Sequence, residues 1–114
     1  MQLYLMSYVH SGRRAASVLE EFSQINDKLD PERGKKWTPF VMVTDLLEEA
    51  GEVASVVKGL EGFKPPEKSG TKEMLAAELS DLLYMVFVLA EYYKIDLERT
   101  FPETVNDYIL RFIT

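Results

Sequence analysis

The chain has 114 residues and a mass of 13.1 kDa, enough for a single domain over 1–114 and no second core. A 46% hydrophobic content with six glycines and five prolines excludes disorder and fibrous repeats, while nineteen acidic against thirteen basic side chains, a net charge of -6, exclude a general nucleic-acid binder. The absence of cysteine excludes disulfides, thiolate metal sites and cysteine nucleophiles, and leads us to expect a cytoplasmic protein.

The stretch Met1 to Val9 is apolar but short, with no positive leader and no cleavage site, so no signal peptide is expected. Ala15, Val18, Leu19, Phe22, Ile25 and Leu29 recur at three- and four-residue steps and predict a first helix over about 13–29, closed by Asp30-Pro31. A charged loop, Glu32 to Trp37, precedes Thr38-Pro39, an N-cap followed by proline at the first helical position, which opens a second helix reaching about Leu60. Gly59 and Gly62 stop it, and Phe63 to Gly70 reads as a loop. Thr71 caps a third helix, expected to be the longest, with no breaker before about Lys94. Its apolar run, Leu82 to Ala90, is nine residues, too short for a bilayer crossing of roughly 20. Asp96 and Pro102 mark the entry to a fourth helix ending near Ile113. Period-2 alternation is confined to Tyr4–Val9, so the expected class is all-α, without internal repeats.

On a helical wheel, Glu49 and Glu52 share one side of the second helix with Glu48 and Asp45. The apolar stripe Val43, Leu46, Ala50, Val53, Val57 and Leu60 lies opposite, and taken alone the acids read as a solvated face. The third helix alters that reading. Glu78 and Asp81, one turn apart, share their side with Met74, Met85, Leu89 and Tyr92, and the helix is apolar almost all round, the pattern of a buried element. A buried carboxylate must be protonated, paired with a base or bound to a cation, and neither lysine nor arginine occurs between Lys72 and Lys94. If the two helices pair antiparallel, Glu49, Glu52, Glu78 and Asp81 form a carboxylate cage suited to a hard ion such as Mg²⁺, whose shell phosphates commonly complete. A di-iron bundle needs two Glu-x-x-His pairs, whereas the single histidine, His10, is remote from both clusters and reads as a surface or packing residue.

The run Leu47-Glu48-Glu49-Ala50-Gly51-Glu52, with Glu78-Leu79-Ser80-Asp81-Leu82-Leu83-Tyr84 following twenty-five residues after Glu52, resembles the E-E-x-x-E and E-x-x-D signature of MazG-like nucleoside triphosphate pyrophosphohydrolases. The resemblance extends loosely from about Arg13 to Phe112. It implies a four-helix bundle completed by oligomerisation and Mg²⁺, with Mn²⁺ as a substitute, on Glu49, Glu52, Glu78 and Asp81. The implied reaction cleaves a ribo- or deoxynucleoside triphosphate between the α and β phosphates to monophosphate and pyrophosphate, as in house-cleaning of the nucleotide pool. Glu48, beside the ligands, is the candidate that orients or deprotonates the water, or else pairs with a lysine.

Substrate contacts are sought in several places. Lys36 and Trp37 offer a phosphate partner and a stacking ring, or else a solvated lysine and a packing indole. Lys58, Lys64, Lys68 and Lys72 border the loop after the second helix, and Tyr84 stands one turn beyond Asp81. Asn106 and Arg111 resemble the asparagine and basic residues that family members place in the last helix, although Glu103 and Tyr108 occupy positions where a lysine would be unsurprising. A helix apolar all round predicts at least a homodimer, or a homotetramer, since its short neighbours cannot cover it. The partners expected are thus a nucleotide and further copies of the chain, with no nucleic acid and no membrane. Two other readings share these residues: a phosphoribosyl-ATP pyrophosphohydrolase, and a non-catalytic helical oligomer binding nucleotide or cation.

Overall fold

The computed structural model describes residues 37–113, together with Ser17 and Glu21. Among the described residues every regular element is helical and no strand occurs, as the all-α class requires. Ser17 and Glu21 are both helical, while the rest of the helix expected over 13–29, and with it Lys36 and His10, lies outside the described residues. The first helix described in full, α1, spans Pro39–Leu60, and a 3₁₀ turn covers Pro66–Lys68. Helices α2, Lys72–Tyr92, and α3, Leu97–Ile113, follow.

Each start matches its cap. The Thr38 hydroxyl accepts from the Val41 amide at 3.4 Å, with Pro39 at a position that needs no donor. Thr71 Oγ1 accepts from the Met74 amide at 3.1 Å, and Asp96 Oδ1 from the Arg99 amide at 3.3 Å. Asp96 therefore fixes the start of α3 at Leu97, and Pro102 falls inside that helix, where it removes one backbone donor.

Both α1 and α2 end in the same closed turn. After α1, the Phe63 amide donates to the Lys58 carbonyl at 2.9 Å and the Gly62 amide to the Gly59 carbonyl, with Gly62 at a φ of 80° that suits glycine. After α2, Ile95 and Lys94 bond back to Ala90 and Glu91 in the same pattern, with Lys94 at a φ of 55°. That turn ends α2 at 21 residues, so α1, with 22, is the longer helix rather than α2 as the absence of a breaker suggests.

The chain divides into two compact units. One is Lys36–Leu89, and the described residues from Ala90 onward, including α3, belong to the other. In the first unit Gly59 packs against Gly70 while Glu49 and Glu52 meet Glu78, so α1 and α2 run antiparallel. In the second, α3 half-buries Leu97, Val105 and Ile109 and exposes Tyr108 and Phe112.

The buried faces differ from those counted on the wheel. On α1, Met42 is only 6% exposed, whereas Val43, Val57 and Leu60 of the expected inward stripe are exposed. On α2, Met85 is 5% exposed and Leu79, Leu83 and Val86 are exposed, so the described residues do not enclose α2 on all sides. The reason lies in the spacing. Met42, Leu46, Glu49, Val53 and Val56 follow one another at alternating steps of four and three, as do Leu75, Glu78, Leu82, Met85 and Leu89 at steps of three and four. Those are the inward seams, buried or half-buried throughout, and each includes one glutamate that a count of apolar residues leaves out.

Candidate metal centre

Glu49 and Glu78 thus occupy seam positions that apolar side chains hold elsewhere, each with four apolar seam residues along its own helix. Glu52, one turn after Glu49, is exposed at the seam's edge. One carboxylate oxygen from each of Glu49, Glu52 and Glu78 lies within 4.8 Å of the other two. Oε2 of Glu49 and Oε2 of Glu78 are buried without a hydrogen-bond partner. A buried acceptor with no donor is an uncompensated cost, and two of them within one trio mark a place built for a group that supplies positive charge.

The electrostatics agree. The Glu78 carboxyl is raised above its ordinary range first by a side-chain hydrogen bond with Glu52, then by lost solvation and by repulsion from Glu52, Asp81 and Glu49. The Glu49 carboxyl is raised first by lost solvation and then by repulsion from Glu52, Asp81, Glu48 and Asp45. Six acids therefore share one field, and their mutual repulsion raises the cost of ionising Glu49 and Glu78.

The set fits a hard divalent cation. All its donors are carboxylate oxygens, and ligands on opposite sides of an ion bonded at about 2.1 Å stand about 4.2 Å apart. The spacing of up to 4.8 Å within the trio is of that order, so the three carboxylates could draw in around one such ion.

Of the four acids expected in the cage, three converge. Asp81 is exposed outside the tight trio, near enough for its charge to raise both Glu49 and Glu78. Glu48 is exposed beside the trio and acts on Glu49 through charge. Trp37 is half-buried and its indole Nε1 donates to Asp45 Oδ2 at 3.1 Å, which joins the segment before α1 to the acidic field. Tyr84 is half-buried and Lys58 exposed. Asn106 and Arg111 are exposed in the other unit, where the Arg111 guanidinium lies 5.8 Å from the centre of the Tyr108 ring. Two contacts were not foreseen, Trp37 with Asp45 and Lys64 with Ser55. The eight- and nine-residue separations of these pairs carry no helical period that would betray them.

Residues 38–112 match the family described as MazG nucleotide pyrophosphohydrolase domain, a stretch that runs from the cap of α1 almost to the end of α3. Such proteins typically use a divalent metal, in keeping with the acidic trio. The uncharacterized protein YvdC of Bacillus subtilis strain 168 is similar, 37% identical over 71 residues that cover 54% of this chain and 67% of that protein. No solved structure matches the chain.

Proposed function

Because this chain belongs to the MazG nucleotide pyrophosphohydrolase domain family, we propose that it hydrolyses a nucleoside triphosphate between the α and β phosphates, releasing monophosphate and pyrophosphate. The observation that carries the reading is the convergence of Glu49, Glu52 and Glu78 around two buried, unpartnered carboxylate oxygens. Glu49, Glu52, Glu78 and Asp81 hold Mg²⁺, with Mn²⁺ as a substitute. When bound, the ion supplies Lewis-acid neutralisation of the charge that develops on phosphoryl oxygens. A ligating carboxylate must be anionic, so a bound ion favours the ionised form of Glu78 against its upward shift. Glu48, exposed next to the trio, orients the attacking water and accepts its proton.

No described helix is long and apolar enough to cross a membrane. We place the protein in the cytoplasm, in house-cleaning of the nucleotide pool.

The test is a panel of ribo- and deoxynucleoside triphosphates with Mg²⁺, products resolved by phosphorus NMR. Monophosphate and pyrophosphate are expected, and both should disappear with EDTA. Diphosphate with orthophosphate, or no turnover of any member, overturns the reading.

The same reading includes self-association. Phe40, 85% exposed, Val43, Leu47, 63% exposed, and Val57 form a second apolar stripe on α1, and Leu79, Leu83 and Val86 form one on α2. A second copy covering these stripes makes a homodimer or homotetramer. Light scattering on a size-exclusion column should give at least twice 13.1 kDa, and a monomer mass would rule the assembly out.

A further inference from the structure

Four lysines border the segment between α1 and α2, and the structure separates one from the rest. Lys58, Lys68 and Lys72 are exposed, whereas Lys64 is half-buried. The backbone dictates that difference. Gly62 turns the chain back at the end of α1, and Gly70 comes so close to Gly59 that a Cβ at position 59 would stand 2.7 Å from the Gly70 nitrogen. The segment is thereby held along the last turns of α1, and Lys64 Nζ donates to Ser55 Oγ.

Ser55 lies three residues beyond Glu52, and side chains at that spacing are neighbours on a helix, with Cβ atoms about 5–6 Å apart. The ammonium is therefore fixed about one turn from the acidic trio. Its partner is nevertheless a neutral hydroxyl, and none of Asp45, Glu48, Glu49, Glu52, Glu78 or Asp81 pairs with it among the described residues. One of its three donors is used and its charge is not neutralised. A divalent ion in the trio offsets those carboxylates, but a polyphosphate carries more negative charge than the ion alone balances.

We propose that Lys64 is a substrate-binding residue that donates to a phosphate oxygen on the side of the trio facing the end of α1, with Ser55 holding its ammonium in place. This rests on the function proposed above and specifies which of the four lysines meets the phosphates.

Lys64→Gln is the main test, because an amide still donates to Ser55 but carries no charge. Activity on the best triphosphate of the panel would be measured alongside Mn²⁺ affinity without nucleotide, by electron paramagnetic resonance. We expect KM to rise about 10- to 100-fold, the range for losing one hydrogen bond to a charged group, with Mn²⁺ affinity unchanged. Lys64→Arg should recover most of the loss, and Ser55→Ala, which keeps the charge, should cost only a few-fold. An unchanged KM in Lys64→Gln overturns the proposal. So does Ser55→Ala matching Lys64→Gln in both KM and melting temperature, since the pair would then be only a loop latch. A parent protein that turns over no triphosphate overturns the function itself, and this role with it.

Discussion

Replacing Glu78 with glutamine will lower Mg²⁺-dependent triphosphate hydrolysis by at least about 100-fold, because groups that merely orient a metal ligand already carry about 10- to 100-fold. The same substitution will make the metal-free protein harder to unfold at neutral pH. Glutamine keeps the shape of the side chain in the α2 seam, removes its charge from a field shared with Glu52, Asp81 and Glu49, and still offers a donor to Glu52. The pH dependence follows from the direction of the shift. The folded protein holds the Glu78 proton above the ordinary value of 4.5, so between 4.5 and the raised value the folded state binds more protons than the unfolded one. Stability from this group therefore falls as pH rises through that window and stays low above it. Melting curves in EDTA from pH 4 to pH 8 should show the parent losing ground to Glu78→Gln as pH rises, and Mg²⁺ should restore the parent alone. A fully active variant would remove Glu78 from the site, and a parent that gains on the variant with rising pH would reverse the electrostatic account.

The second large effect concerns two glycines of α1. Glycine inside a helix ordinarily costs about 1 kcal/mol relative to alanine, so Gly51→Ala, whose new Cβ would meet nothing within 4 Å, should stabilise the protein by about 0.5–1 kcal/mol. Gly59→Ala should do the opposite. Its Cβ would stand 2.7 Å from Gly70 N and 2.8 Å from the Lys68 carbonyl, both backbone atoms, so the segment after α1 must move. Overpacking of that kind costs about 1–3 kcal/mol, and each kcal/mol lowers the melting midpoint by about 4 °C or more in a chain of this size. The displaced segment carries Lys64, so KM should rise as well. Thermal melts of the two variants side by side decide the matter: equal signs would mean that the Gly59–Gly70 contact contributes nothing.

These contrasts also explain what could be read without a structure. Helix starts were legible because Thr38-Pro39, Thr71 and Asp96 combine a short polar cap with a chain that must find donors and acceptors locally. The pairing of Glu49 and Glu52 with Glu78 was legible because acids one turn apart on one helix, and an acid within an apolar helix, require a common partner. The inward face of α1 was not. Counting apolar residues selects Val43 and Val57, whereas the true seam runs through Glu49, a residue that every hydropathy scale assigns to solvent. Lys64 was one of four equivalent lysines until a glycine contact, invisible to periodicity, fixed the loop that bears it.

The interrupted seams have one more effect, on alignment. Two helices with unbroken apolar seams can slide past each other by a heptad and bury nearly the same surface. With Glu49 in one seam and Glu78 in the other, any slip sets each carboxylate against leucine, valine or methionine and separates it from its counterpart. Glu49 and Glu78 therefore also act as the register key of the α1–α2 hairpin, selecting one axial setting out of several that apolar contact alone would leave close in energy.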